Sequence, residues 1–280
     1  METENCSEVD AKKKIEAMDK MRRSSYEYTT GRTWAEYHNY NRMIDKFLAA
    51  IGFVAFFFLT LFLYSLTISF DKEYSGQSSL AWFYGRVICW GAFFFTGTHV
   101  KVKGLKKLPK GRFVYVANHR SKFDPMLVIR YFGLKHVAFI SKDSNFKIPM
   151  IGKIIHRCNF LCINRDDPRE ALPTINKAVD LIKQDEISIG VYPEGTRSKT
   201  GQLGKFHSFV FRIPFYAQVP VVVGFTDKTE EIVRRFPRSR ATINFEILDV
   251  LDVNYVSSQI PVEISESVEA IIKERLEKGE

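Results

Sequence analysis

The sequence predicts an α/β domain, a mainly parallel central sheet flanked by helices, carried on an N-terminal two-helix membrane anchor. Three observations lead there. Residues 47–70 hold no charged side chain across 24 positions. A second apolar, aromatic-rich run follows at 80–98. Beyond residue 99, short apolar runs alternate with helical stretches, the pattern of a parallel sheet with crossover helices.

The chain has 280 residues and a formal net charge of +9, room for a sizeable core. The charge is unevenly placed. Residues 1–46 form a balanced polar tail with nine Lys/Arg and nine Asp/Glu, and 47–98 hold two of each. The whole excess falls in 99–280, with 30 basic against 21 acidic residues. A basic domain suits an anionic partner. No zinc-finger spacing and no ribonucleoprotein aromatic motif is present, so nucleic acid is not the expected one. The tail segment "AKKKIEAMDKMRR" reads as a short polar helix. Cys6, Cys89, Cys158 and Cys162 lack partners at metal-ligand spacing and read as free thiols, the last three packed in the interior.

As a helix, residues 47–70 span roughly 36 Å, enough for a hydrocarbon core of about 30 Å. With 46 polar residues before it, the run begins too late for a cleavable signal peptide. The second run contains Arg86, with Trp82, Tyr84 and Trp90 suited to an interface. Arg42 and Lys46 precede the first run, and Lys101, Lys103, Lys106, Lys107, Lys110 and Arg112 follow the second. By the positive-inside rule both flanks face the cytoplasm, so 47–98 is expected to form a helical hairpin whose tip lies across or within the bilayer. The expected organisation is a cytoplasmic tail over 1–46, the hairpin over 47–98 and a catalytic domain over 99–280 at the cell membrane's cytoplasmic face.

Strands are expected at 113–117, 136–141, 159–164, 187–192, 219–225 and 242–248. A helix is expected at 169–185 and a closing helix over the last 18 residues. In open α/β sheets, ligands bind beyond the carboxyl ends of the strands. Asn118 and His119 follow the first of these strands, Lys142 the second, Arg165 the third, and "PEGTR", Pro193 to Arg197, the fourth. One histidine, two acids and three cations thus meet at one edge if the strands run parallel.

His119 and Asp124 stand five apart, about 140° around a helix, so only a loop brings them together. Pro125 suits a first helical turn and makes Asp124 a natural N-cap. A carboxylate oxygen on one ring nitrogen fixes the tautomer and leaves the other as a general base. The nearby Ser121 is the one candidate for a covalent nucleophile, without a nucleophile-elbow pattern. In "YPEGTRS" the glycine permits a tight turn, and Arg197 offers a fork for bidentate phosphate binding.

Together "NHRSKFD", "FISKDSNFKIPMIGKIIHRCNFLCINRDDPREA", "YPEGTRSKTGQLGKFHSF" and "VPVVVGF" resemble, in order and spacing, the four blocks of the membrane-bound phospholipid and glycerol acyltransferases, in particular bacterial 1-acyl-sn-glycerol-3-phosphate acyltransferases. The resemblance covers about 100–250. It implies transfer of a fatty acyl group from acyl-CoA or acyl carrier protein to the free hydroxyl of 1-acyl-glycerol 3-phosphate, giving phosphatidic acid. It implies His119 as general base and Asp124 as its orienting partner, with Lys142, Arg165 and Arg197 on the acceptor's phosphate. Glu194, Gly195 and Thr196 shape the turn and adjoin the phosphate and glycerol. No cofactor or metal is implied beyond the acyl thioester co-substrate. The expected partners are lysophosphatidic acid, the acyl donor and the bilayer. Ser144, Asn159 and Phe209 depart from the pattern, standing where Glu, Gly and Gly are usual. Alternatives are an acyltransferase acting on glycerol 3-phosphate or another lysophospholipid, a non-catalytic anionic-lipid-binding membrane protein, and a hydrolase using Ser121.

Overall fold

A computed structural model describes residues 12–24, 34–68, 78–163, 171–198 and 201–279. Arg165, Cys6 and most of the expected loop between the two apolar runs lie outside them. The chain divides into two units, 1–50 and 51–280. The first contains an exposed helix α1 over 12–24 and the start of α2, Trp34–Ile68. Within α2, Asn41–Thr67 is long and apolar enough to cross a membrane.

In the second unit, α2 continues alongside α3, Ser79–Thr96. A Cβ on Gly91 would meet Phe56 Cε1 at 2.0 Å, so glycine is what lets the two helices approach. Tyr64 meets Tyr84 with ring centroids 5.2 Å apart, so the helices run antiparallel. Ser78 caps α3 by accepting the Ala81 amide at 3.1 Å. Gly97, left-handed at φ 63°, closes it.

Seven strands form one sheet: β1 His99–Lys103, β2 Val114–Ala117, β3 Val137–Lys142, β4 Leu161–Ile163, β5 Ser188–Val191, β6 Val221–Asp227 and β7 Thr242–Leu251. Their order is β1-β7-β6-β2-β5-β3-β4. From β6 to β4 every pairing is parallel. β7 is antiparallel to β6 and parallel to β1. All six expected strands form, and β1 is a seventh that the apolar-run reading did not mark. Its sequence HVKVK alternates, as an edge strand with one face in water does.

The helices over the sheet include α4 Asp124–Tyr131, α5 Asp143–Phe146, α6 Ile151–Arg157, α7 Ala171–Lys183, α8 Arg212–Ala217, α9 Glu230–Arg234, α10 Val253–Ser258 and α11 Pro261–Glu277. Both faces carry apolar clusters, so β2 and β5 are buried throughout. α3 lies on the same body. Trp82 stacks on His136 at 4.5 Å with the planes 5° apart, and the Ser78 amide donates to Arg157 O, the last residue of α6, at 3.0 Å. Cys89 and Cys158 are buried, whereas Cys162 is exposed. Its place on the short outer strand β4 turns it outward, against the packing role expected of it.

Candidate active site

The carboxyl ends of β2 to β6 share one edge, and the loops leaving them build the site. Asn118 fixes its rim. The side-chain amide donates to Thr226 O at 2.8 Å and accepts the Thr226 amide at 2.9 Å, tying the ends of β2 and β6 together.

The next five residues curl so that His119 Nδ1 lies 2.7 Å from Asp124 Oδ2. The same oxygen accepts the Arg120 amide at 2.7 Å and the Ser121 amide at 2.8 Å. Oδ1 accepts the Thr229 hydroxyl at 2.5 Å. Asp124 is fully buried, and four donors offset its desolvation. With Nδ1 donating to the carboxylate, Nε2 is the ring atom able to take a proton. The helix boundary differs from expectation: Phe123 is the N-cap residue and Asp124 the first helical one. The Asp124 carboxylate turns back to the amides of the preceding loop, which compete successfully for it. Ser121 Oγ accepts the Phe123 amide at 3.1 Å and its residue is buried, so this hydroxyl is turned into the loop.

The His119 ring stacks on Tyr192 at 4.2 Å and 14°, and Tyr192 stacks on Phe139 at 5.4 Å and 8°. Burial first, and the nearby Asp124 charge second, push the Tyr192 phenol well above its ordinary pKa. Glu194 holds the backbone side of the histidine: Oε1 accepts the His119 amide at 2.6 Å and Oε2 the Gly204 amide at 2.8 Å. Both oxygens of this buried carboxylate thus serve the loops. Gly195 takes φ +66°, where a side chain would be strained. Its amide donates to Tyr192 O at 3.0 Å, and Ser198 N donates to His119 O at 2.8 Å.

Thr196 and Arg197 emerge from this turn, exposed. Arg197 lines a cleft of about 480 Å³ with Arg120, Thr196, Ser198, Arg234 and one acid, Glu230. Lys142 is exposed at the end of β3. Arg120 is already engaged: its fork meets Glu230 at 2.9 and 2.6 Å, and one nitrogen lies 3.1 Å from Asp227 Oδ1. Tyr192 also lines a cavity of about 550 Å³, with Ile140, Ile163, Val191, Phe209 and Val210 in its wall. The Arg212 guanidinium sits 4.8 Å over the Phe209 ring. Asn159, where the resemblance led one to expect glycine, is left-handed at φ 57°, a conformation asparagine tolerates.

Tyr192, Arg120 and Thr229 were not singled out from sequence. Thr229 carried a usable signal: "TDKTE" leaves β6 at the same edge, and the strand-end rule applied to this fifth strand would have marked it.

Residues 99–223 match the family model described as Acyltransferase. The chain is similar to the chloroplastic 1-acyl-sn-glycerol-3-phosphate acyltransferase BAT2 of Brassica napus, 37% identical over 123 residues, 43% of this chain and 35% of that one. It is also similar to the 1-acyl-sn-glycerol-3-phosphate acyltransferase of Haemophilus influenzae, 26% identical over 143 residues, 51% of this chain and 59% of that one. The chain therefore spans about a third to three fifths of the length of these curated relatives. The crystal structure of the 1-acyl-sn-glycerophosphate (LPA) acyltransferase PlsC from Thermotoga maritima matches with a TM-score of 0.67 at 23% identity, over 85% of this chain and 97% of that one. At that identity it shows the fold. The matches bear out the resemblance read from the four motif blocks.

Proposed function

We propose that this acyltransferase-like chain is a membrane-anchored 1-acylglycerol-3-phosphate O-acyltransferase, converting lysophosphatidic acid to phosphatidic acid. The observation that carries the reading is the His119–Asp124 pair, held at 2.7 Å, whose loop neighbours Arg120 and Ser121 line the arginine-bearing cleft and whose stacking partner Tyr192 lines the apolar cavity. The acceptor's hydroxyl gives its proton to His119 Nε2 while its oxygen attacks the thioester carbonyl. Asp124, hydrogen-bonded to Nδ1, stabilises the imidazolium that forms. Collapse of the tetrahedral intermediate breaks the carbon–sulfur bond, and the imidazolium returns the proton to the leaving thiolate. No acyl-enzyme is needed.

Arg197, with Lys142 and Arg165, is assigned to the acceptor's phosphate, and Thr196 to the adjoining polar contacts. Glu194 and Gly195 act by holding the turn and the His119 backbone. The apolar cavity suits a fatty acyl chain, with Phe209 setting part of its size. The donor is an acyl thioester of coenzyme A or acyl carrier protein.

The same reading places the catalytic domain at the cytoplasmic face, both flanks of the hairpin being basic. α2 from Gly52 to Tyr64 runs along α3, and α3 is bonded to the domain at its Ser78 end. That supports a hairpin lying against the domain and entering one leaflet, with Phe58, Leu59, Phe62, Leu63 and Leu66 exposed to lipid.

The test is acyl transfer by purified protein in detergent, offered lysophosphatidic acid and glycerol 3-phosphate side by side with a labelled acyl thioester. Label in phosphatidic acid, lost in His119→Ala, is the expected result. Label only with glycerol 3-phosphate would keep the mechanism and change the acceptor. No transfer to either acceptor by folded protein would overturn the reading.

A further inference from the structure

We propose that a cleft between α3 and α4, at the end of α4 away from Asp124, binds the phosphate of an anionic membrane lipid. It measures about 280 Å³ and is lined by Phe83, Arg86, Val87, Trp90 and Arg130. Asp124 begins α4 and Arg130 stands in its last turn, so about 9 Å of helix separates this cleft from the catalytic pair.

Two guanidiniums share the cleft, and among the described residues no Asp or Glu lines it. Among the described residues neither Arg86 nor Arg130 forms an ion pair with a carboxylate. Arg86 spends one nitrogen on Gly133 O at 3.1 Å and His136 Nε2 at 3.3 Å. Arg130 lies with its guanidinium carbon 5.3 Å from the Tyr131 ring centroid, and its Nε is buried without a hydrogen-bond partner. The helix dipole accounts for a cation at the end of α4. It does not account for a second cation facing the same space, where like charges repel unless an anion lies between them. Arginine forks suit phosphate oxygens.

The surroundings point to a lipid as the source of that phosphate. Phe83, Trp90 and Phe94 lie at i, i+7 and i+11 on α3 and are 52%, 43% and 57% exposed. Trp90 stacks on Phe94 at 5.0 Å and contacts Phe56 of α2 at 6.0 Å. The stripe therefore reaches the seam with α2, whose outward face is itself apolar and exposed at Val54, Phe58, Leu59 and Phe62. Arginines at the rim of such a surface are stabilised at the headgroup level, where tryptophan is also favoured. A headgroup phosphate between Arg86 and Arg130 would leave its acyl chains on this stripe. The proposal uses the membrane placement argued above and is independent of acyl transfer.

Thermal unfolding of the full chain in detergent micelles doped with phosphatidylglycerol, with phosphatidylcholine, or with inorganic phosphate in the buffer tests it. Phosphatidylglycerol is expected to raise Tm by about 4 °C over phosphatidylcholine, with inorganic phosphate giving no comparable rise. Arg86→Gln with Arg130→Gln should abolish that increment, and lysines at both positions should keep part of it. Arg197→Ala, at the candidate acceptor site, and Lys101→Gln with Lys106→Gln, on exposed positions elsewhere, should retain all of it. A full increment in the double glutamine variant, an equal effect of phosphatidylcholine or free phosphate, or equal loss in the Lys101/Lys106 variant overturns the proposal. Because the increment is read within each protein, a lower baseline Tm in a variant does not obscure it. Native mass spectrometry of the wild type and of Arg130→Lys, counting phosphatidylglycerol retained from an equimolar mixture with phosphatidylcholine, gives a second reading. Retention no better than for phosphatidylcholine counts against the site.

Discussion

The histidine side and the cation side of the candidate site are built on opposite plans. Around His119 and Asp124, a buried carboxylate, two loop amides, a threonine hydroxyl and a stacked tyrosine fix the proposed base in place. Lys142 and Arg197, the cations proposed for the phosphate, stand exposed. The difference teaches how the two tasks divide. Proton transfer demands geometry, which the chain's own bonds supply. Phosphate binding demands charge, which stays accessible until the anion completes it.

The comparison predicts a graded series. His119→Ala should cut turnover by about two to four orders of magnitude, the usual contribution of a general base; a loss under tenfold in a transfer assay would remove His119 from that role. Asp124→Asn sets an amide NH2 or a weaker acceptor against donors, so turnover should fall about a hundredfold or more, with stability lower by ~1–3 kcal/mol in denaturant titration. Thr229→Val removes only the Oδ1 bond. It should lower kcat by about tenfold, one neutral hydrogen bond to a charged group, leave the acceptor KM unchanged, and be rescued by Thr229→Ser. A rise in KM instead would place Thr229 on the substrate side of the comparison. Arg197→Lys should raise the acceptor KM by about tenfold with kcat little altered, the fork being lost and the charge kept; unchanged saturation would contradict phosphate binding there.

A separate effect concerns stability alone. Burial first, then the charges of Arg86 and Arg112, lower the His136 pKa from 6.5 to about 4. The unfolded chain therefore binds this proton more readily than the folded one. Stability should fall as pH drops from about 6.5 towards 4 and be free of this contribution above that window. His136→Phe keeps a ring against Trp82 and should flatten that part of the melting profile; an unchanged profile would show another group to be responsible.

Much of this was legible in the sequence, for physical reasons that also explain the gaps. Strands buried on both faces read as unbroken apolar runs, which is why β2, β5 and β6 stand out. β1 did not, because its lysines face water. The direction of β7 was equally unreadable, since an apolar run carries no polarity along the chain. At the site, the loop spacing of His119 and Asp124 pointed to their meeting, and the two side chains do meet. Where the Asp124 carboxylate would turn was not legible, because helix-start chemistry and loop amides offer it competing donors. Thr229 arrives from more than a hundred residues away, and only its place just beyond the end of β6 marks it; nothing in the sequence says that it would turn to Asp124.

Asn118 has a wider consequence. Its side-chain amide donates to and accepts from the backbone of one residue, Thr226, which is what a peptide unit does across a ladder. It works as a borrowed rung, continuing the β2–β6 pairing past Ala117, the last residue paired there. Strand ends ordinarily fray in water. Here fraying is stopped one residue before His119, so the His119 loop departs from a closed hem instead of a loose thread. The Thr226 amide should accordingly exchange its hydrogen as slowly as an interior strand position, and exchange faster in Asn118→Ala.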